Sequence, residues 1–176
     1  MRPTTLFVVL AACSDSSSNP IDAAATPDAY DTARCLIKGD YGAVGSVTGT
    51  SGMASGAQTL TVTLDAGPPR DAFFVKLVAG KGVFASSVAP GTYTIAGADA
   101  GYLTCGLCVH IIADIVSGSG PSKFYFADAG MVTLTATAPI AGSATGIHLA
   151  EVDINSGAKI AGGCEASIAS INFAAP

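Results

Sequence analysis

The stretch "TLTVTLDAG", residues 59–67, carries the pattern that decides the fold. Three threonines alternate in it with three aliphatic residues: Thr59, Thr61 and Thr63 with Leu60, Val62 and Leu64. Because successive side chains of a β-strand point to opposite faces of the sheet, this alternation predicts a strand with one buried and one solvated face. The strand is predicted to end at the turn sequence Gly67-Pro68-Pro69.

Short strand-like runs of this kind recur along the chain. The further predicted strands lie at residues 72–78, 91–97, 107–116, 123–127, 131–138, 145–154 and 166–173. Turn signals separate them: Gly80-Lys81-Gly82, Pro90-Gly91, Gly118-Ser119-Gly120-Pro121, Asp128-Ala129-Gly130 and Asn155-Ser156-Gly157. With no helical period between the runs, we predict an all-β fold, specifically a single antiparallel β-sandwich or jelly-roll-like domain.

Composition excludes two classes of protein. The net charge is −5 and the basic residues are scattered singly, whereas a nucleic-acid-binding protein needs clustered Lys and Arg to displace counterions from phosphates. No apolar run approaches the roughly 20 residues that a transmembrane helix requires. We therefore expect neither a nucleic-acid partner nor a membrane-spanning helix.

The first thirteen residues, "MRPTTLFVVLAAC", are typical of an export signal. Arg2 provides the positive charge that precedes the short apolar segment of a secretory signal. The segment ends in Leu10-Ala11-Ala12-Cys13, which resembles the bacterial lipobox, in which the cysteine receives the lipid. We predict a lipoprotein signal peptide at residues 1–12 and lipidation of Cys13, with stable anchoring because several acyl chains bind a membrane more firmly than one. Ser14 favours the outer membrane, because aspartate at that position is the usual signal for inner-membrane retention.

Residues 13–33 are rich in Ser, Ala, Pro and Asp and show no hydrophobic period. Such a segment cannot bury enough apolar surface to offset the entropy of ordering it. We predict a flexible, disordered acidic tether at 13–33, followed by the β-sandwich domain at 34–176. A calcium-binding loop is the alternative for the tether, but its aspartates lack the required spacing.

Four cysteines remain once Cys13 is set aside: Cys35, Cys105, Cys108 and Cys164. In an exported domain an even number of cysteines favours disulfides, although four cysteines permit three pairings. Gly106 allows a tight turn between Cys105 and Cys108, while Cys35 opens the domain and Cys164 precedes its last strand. We therefore favour the pairing 105–108 with 35–164.

Other interpretations of "TCGLCVH", residues 104–110, are weaker. A c-type haem site needs a histidine directly after the second cysteine, and Val109 stands there instead. The following residues predict a strand, so the helix N-terminus that activates a thioredoxin-like Cys-x-x-Cys is missing. A four-cysteine zinc site needs a second closely spaced pair. The stretch is best interpreted as a disulfide at the entrance to a strand.

The two histidines, His110 and His148, are placed by the pattern on solvated strand faces. Neither forms a metal site with a nearby acid on its own strand, because His148 and Glu151 point to opposite faces and Asp114 is too far along the strand from His110. No nucleophile elbow, P-loop or dinucleotide-binding glycine motif occurs. We expect no cofactor, no metal and no catalytic residue; a site assembled across strands, or exposed Tyr41 or Tyr102 stacking on a sugar, remain alternatives.

Several longer segments resemble a known group of proteins. They are "PGTYTIAGADAGYLTCGLCVHIIAD", "YFADAGMVTLTA", "LAEVDI" and a late "GGC…INF". Together with the lipobox and the tether, they are similar to uncharacterised predicted lipoproteins of myxobacteria and related bacteria, over roughly residues 88–173. The resemblance implies an envelope location and a disulfide-containing β-domain, and it implies no activity.

Taken together, the sequence predicts a non-catalytic lipoprotein anchored in the bacterial cell envelope, with a structural or interaction role. A binding module for a carbohydrate or another small molecule is the first alternative, and an enzyme or metal protein with a cross-strand site is the second. The three differ in one structural feature. A groove lined by aromatic rings would favour ligand binding, convergent polar groups would favour an enzyme, and a flat surface would favour a structural role.

Overall fold

The computed structural model describes Cys35 and residues 39–65, 67, 69–118 and 120–176, and this part of the chain is almost entirely β. The signal peptide, Cys13 and the tether, which the sequence predicts, lie outside the described residues. Nine strands are present: β1 (Ala43–Thr48), β2 (Thr50–Ala54), β3 (Ala57–Asp65), β4 (Arg70–Leu77), β5 (Gly91–Thr94), β6 (Leu107–Ile115), β7 (Lys123–Thr137), β8 (Ile140–Glu151) and β9 (Glu165–Ala174). Two short 3₁₀ helices, Gly82–Phe84 and Gly97–Ala100, are the only helical elements described. The all-β prediction is confirmed.

The strands form one continuous sheet rather than two separate ones. Its order is β1-β9-β8-β7-β6-β4-β3-β2, with β5 added to β7. All neighbours are antiparallel except β1, which runs parallel to β9, so the sheet is mixed and curls into a half-barrel. The sandwich or jelly-roll arrangement is not confirmed. Period-2 patterning shows which residues share a face, but it leaves open which strands pair and whether the ends of a sheet approach each other.

The curl follows from the connection between β1 and β2. These strands lie at opposite ends of the sheet order, yet only Gly49 separates them in the chain. The Gly49 N–H donates to the Ala174 carbonyl at 2.8 Å, and a Cβ at position 49 would overlap the Thr61 carbonyl oxygen. Glycine therefore lets the chain pass from one edge of the sheet to the other at this point.

Two differences from the predicted strands have clear physical causes. The residues of β1 and β2 are largely exposed and carry no apolar alternation, so the pattern did not predict them. The turn predicted at Asp128-Ala129-Gly130 is wrong, because β7 runs through it and stays paired with β8 across register shifts. A glycine within a strand pattern can mark such a bulge instead of a reversal.

The concave side of the sheet holds the main core. It is built from alternate residues of nearly every strand, most of them aliphatic and fully buried, such as Leu60, Val62, Val109, Leu149 and Ile168. Phe73 of β4 and Phe173 of β9 meet within it, with ring centroids 5.9 Å apart. This inner face therefore joins strands from both halves of the sheet order.

Both disulfides have the pairing that the sequence favoured. Cys35 is bonded to Cys164 across a sequence separation of 129 residues, so this bond ties the beginning of the described chain to the entrance of β9. Cys105 is bonded to Cys108 within three residues, at the entrance to β6. The first contributes to the inner core, whereas the second belongs to a separate cluster on the other face.

Candidate ligand-binding groove

The outer face of β4, β6 and β7 is also apolar, and this face forms the candidate site. Alternation along each strand turns one residue inward and the next outward, so that Phe73 joins the main core while Phe74 faces away from it. The outward residues include a second buried cluster: Cys105, Cys108, Phe124, Phe126 and Val152. The sheet thus has an interior on both sides in this region.

A groove of about 700 Å³ lies on this outer face. Its floor is formed by Phe74, His110, Ile112 and Phe124, from three neighbouring strands. One wall includes Ala54 at the end of β2 and Ser55 of the turn that follows, and another includes Tyr102, Leu103 and Cys105, which precede β6. The walls therefore lie mainly at connections, while the floor lies on the hydrogen-bonded sheet.

Aromatic rings stack along the floor. The His110 imidazole lies between Phe74 and Phe124, with ring centroids 4.9 Å and 5.0 Å away and interplanar angles of 4° and 25°. Tyr102 meets Phe124 and Phe126 edge-on, at 5.5 Å and 5.7 Å. Offset stacks and edge-to-face pairs are the favourable arrangements of such rings, so this floor is a packed aromatic surface.

His110 does not lie on a solvated face, contrary to the sequence-based expectation. Burial among the rings, and secondarily the positive charge of Lys76, lower its pKa from 6.5 to about 4. Its Nδ1 is buried and has no hydrogen-bond partner among the described residues. The imidazole is consequently neutral at physiological pH and serves as a flat element of the groove floor.

The charged residues of the groove all carry the same sign. Lys76 and Lys81 line it, and none of the described lining residues is an aspartate or glutamate. The Lys81 ammonium donates to the Leu103 carbonyl at 2.9 Å and so helps to hold the wall. Lys76 lies two residues after Phe74 on the same face of β4, and its ammonium has no carboxylate within ion-pair distance in the described structure.

Asp99, a buried carboxylate, holds the wall that contains the Cys105–Cys108 disulfide. One of its oxygens accepts hydrogen bonds from the Gly106 and Leu107 N–H groups at 2.8 Å each, and the other accepts from the Val83 N–H at 2.9 Å. A Cβ on Gly106 would overlap the Lys81 carbonyl oxygen. The stretch "TCGLCVH" therefore supplies both the wall and, through His110, part of the floor.

His148 lies outside the groove, in a network of exposed charges. Its Nδ1 makes a hydrogen bond with Asp128, and its Nε2 lies 3.6 Å from a carboxylate oxygen of Glu165. The hydrogen bond with Asp128 is the main reason that the pKa of His148 is raised. Glu151 is buried and instead accepts from the Cys164 N–H at 2.8 Å. Among the residues that the structure describes, no group of three or more His, Cys, Asp or Glu side chains is placed to hold a metal ion.

The two tyrosines considered for sugar stacking, Tyr41 and Tyr102, differ in their exposure. Tyr41 is buried, and its hydroxyl donates to Asp71 at 2.8 Å, so its assignment as an exposed stacking residue was wrong. Asp71 also accepts from the Asp114 N–H, and burial raises the pKa of Asp114. Tyr102, by contrast, does line the groove.

One feature of the sequence indicates this groove, namely consecutive aromatic residues within two strands. Strands β4 and β7 include Phe73-Phe74 and Phe124-Tyr125-Phe126, where consecutive aromatic residues break the alternation of polar and apolar side chains. A strand with apolar residues on both faces needs cover on both faces. Such runs on two strands that flank a third indicate a second apolar face, but the sequence does not show that β4 and β7 lie on either side of β6.

Comparisons with protein-family models, with curated proteins and with solved structures found no match to this chain. No helix in the described part of the chain is long and apolar enough to cross a membrane. The fold and site together define a disulfide-linked, all-β domain with an aromatic groove on the outer face of its sheet.

Proposed function

We propose that this protein is a non-catalytic, lipid-anchored binding module of the bacterial cell envelope, and that its groove holds a small ligand with a flat apolar part. The aromatic floor is the observation that carries this proposal. The volume of about 700 Å³ falls within the range of small-molecule sites, which are mostly apolar with a few polar groups. A purely structural role would need no such groove.

The anchor and location are supported by the sequence and by the cysteines. "MRPTTLFVVLAAC" predicts export and lipidation of Cys13, with the outer membrane favoured by Ser14. Two disulfides in one small domain fit an oxidising compartment outside the cytoplasm. A lipid anchor would hold the groove at the membrane surface while the tether allows it to move.

A neutral aromatic fluorophore tests the groove. N-Phenyl-1-naphthylamine is titrated into the full chain carrying Cys13→Ser, which keeps lipid out of the assay and leaves every described residue unchanged. We expect saturable binding that Phe74→Ala weakens by about tenfold, because one of the stacked rings is lost. Met131→Ala is the matched control, since Met131 is exposed and does not line the groove. Absence of saturable binding, or equal loss in both variants, would contradict the groove as the binding site.

The anchor is tested by metabolic labelling with a palmitate analogue. Cys13→Ser should abolish the label, whereas Ser14→Ala, the neighbouring control, should retain it. A label that persists in Cys13→Ser would show that the lipobox interpretation is wrong.

A further inference from the structure

The geometry of the groove points to one class of ligand: we infer that it binds an aromatic carboxylate, whose ring lies on the groove floor and whose anionic group pairs with Lys76. This inference rests on the proposed binding function and adds the charge of the ligand to it. It follows from three observations: the sign of the charges at the groove, the position of Lys76 and the chemistry of the floor.

The groove is a basic site in an acidic protein. The chain has a net charge of −5, yet the charged side chains among the described lining residues are both lysines. A lysine lays its aliphatic stem along apolar surface and keeps its ammonium in water, where the ammonium can pair with an anion. An anionic ligand would supply the counter-charge, whereas a cationic ligand would be repelled.

Lys76 is the groove lysine whose ammonium makes no ion pair among the described residues. Lys81 already donates to the Leu103 carbonyl, and Lys76 has no carboxylate partner in the described structure. Its cross-strand neighbours are Thr59 of β3 and Cys108 of β6, so it stands one row along the sheet from Phe74 and His110. The Lys76 side chain therefore lines the groove one row along the sheet from the Phe74 and His110 rings, beside the aromatic floor.

The floor favours a flat apolar body over a sugar. Phe74, His110 and Phe124 stack on one another, and the described floor offers no amide or carboxylate side chain to the hydroxyl groups of a carbohydrate. The buried Nδ1 of His110 has no hydrogen-bond partner among the described residues, and the neutral imidazole adds no positive charge to the floor. A ring with a single carboxylate thus matches both the apolar floor and the Lys76 ammonium beside it.

The test compares two ligands that differ in charge and little in shape. The measurement is a competition assay in which 2-naphthoate or 2-naphthylmethanol is titrated against N-phenyl-1-naphthylamine in the presence of the full chain carrying Cys13→Ser. We expect 2-naphthoate to bind about tenfold more tightly at low ionic strength, as a hydrogen bond to a charged group predicts. The preference should shrink in 0.5 M salt, because salt screens a partly exposed charge pair.

Lys76→Met should abolish the preference, so that 2-naphthoate and 2-naphthylmethanol compete with the fluorophore equally, and an unchanged circular-dichroism spectrum shows that the variant is folded. Lys159→Met is the control. Lys159 is exposed, its ammonium lies 3.5 Å from a carboxylate oxygen of Asp128, and it does not line the groove. The preference for 2-naphthoate should therefore remain in this variant. Equal affinity for the two ligands, or a preference that survives Lys76→Met, would overturn the inference and leave the proposed function standing. If none of the three aromatic probes binds, the proposed function fails together with it.

Discussion

Phe73 and Phe74 are adjacent in the chain and identical in chemistry, yet they belong to two different interiors. Phe73 is fully buried in the core on the concave side of the sheet, against Phe173. Phe74 is partly exposed and stacks on His110 in the floor of the outer groove. A strand with apolar residues on both faces thus contributes to a closed core on one face and to an open groove on the other.

The two faces also differ in composition. The inner face is filled mainly by aliphatic side chains from nearly all strands, which pack densely and leave little room for a ligand. The outer cluster is small and built around rings, and two lysines and a histidine line the groove beside it. Each face has its own disulfide, so the same chemistry can be compared in both settings.

The largest expected difference concerns these disulfides. A disulfide stabilises mainly by restricting the unfolded chain, so the loss should grow with the length of the closed loop. Replacing both Cys35 and Cys164 by serine should lower the free energy of unfolding by about 5 kcal/mol, and replacing both Cys105 and Cys108 by about 2 kcal/mol. Urea unfolding of the two double variants measures this. Equal losses would mean that the outer disulfide supports more of the fold than its short loop implies.

The second difference concerns the paired phenylalanines. Phe73→Ala leaves a closed cavity in the main core and should cost about 4 kcal/mol of unfolding free energy. Phe74→Ala opens onto an existing groove, so the structure keeps its packing elsewhere and the cost should be about 1–2 kcal/mol. Both are read from urea midpoints at constant m-value. A larger loss at Phe74 would show that the outer face is a second structural core.

The third difference is a pH dependence that belongs to the outer face. His110 has a pKa of about 4 in the folded protein and about 6.5 in the unfolded chain. Between these values the unfolded chain binds more protons, so the free energy of unfolding should fall as pH drops from 7.5 to 4.5, by up to about 3 kcal/mol from this residue.

His110→Phe should remove that part of the pH dependence and keep the aromatic stack. Because carboxylates and His148 also titrate, the measurement is the difference in unfolding free energy between the original protein and His110→Phe at each pH. The pKa of His148 is raised by Asp128, so its contribution is present at low pH and is lost as pH rises. A difference that does not change with pH would contradict the burial of the His110 ring.

Much of the fold could be predicted from local pattern. The alternation at residues 59–64 predicted the centre of β3, and similar runs predicted parts of β4 and of β5 to β9. The pairing of Cys35 with Cys164 followed from their positions at the domain opening and before the last strand. Local pattern failed where the chain has none, in the exposed β1 and β2, and where Gly130 sits within a continuous strand instead of a turn.

The groove could be predicted only in part. "TCGLCVH" marked the Cys105–Cys108 wall, but His110 was expected in solvent, and Phe74 and Lys76 had no assigned role. These residues meet because β4, β6 and β7 are neighbours in the sheet, and this neighbourhood depends on long-range pairing. Alternation assigns a residue to a face of its own strand without indicating what lies on that face from the adjacent strands.

The sequence by itself determined the strand periodicity and a set of cysteines suited to an oxidising compartment, and it predicts export and lipidation, because these depend on neighbouring residues or on composition. Only the tertiary structure decided that the edges of one sheet approach each other at Gly49, and that the outward residues of three strands form an aromatic groove with Lys76 beside it. Those features arise from strand order and register, which are set by the packing of the whole chain.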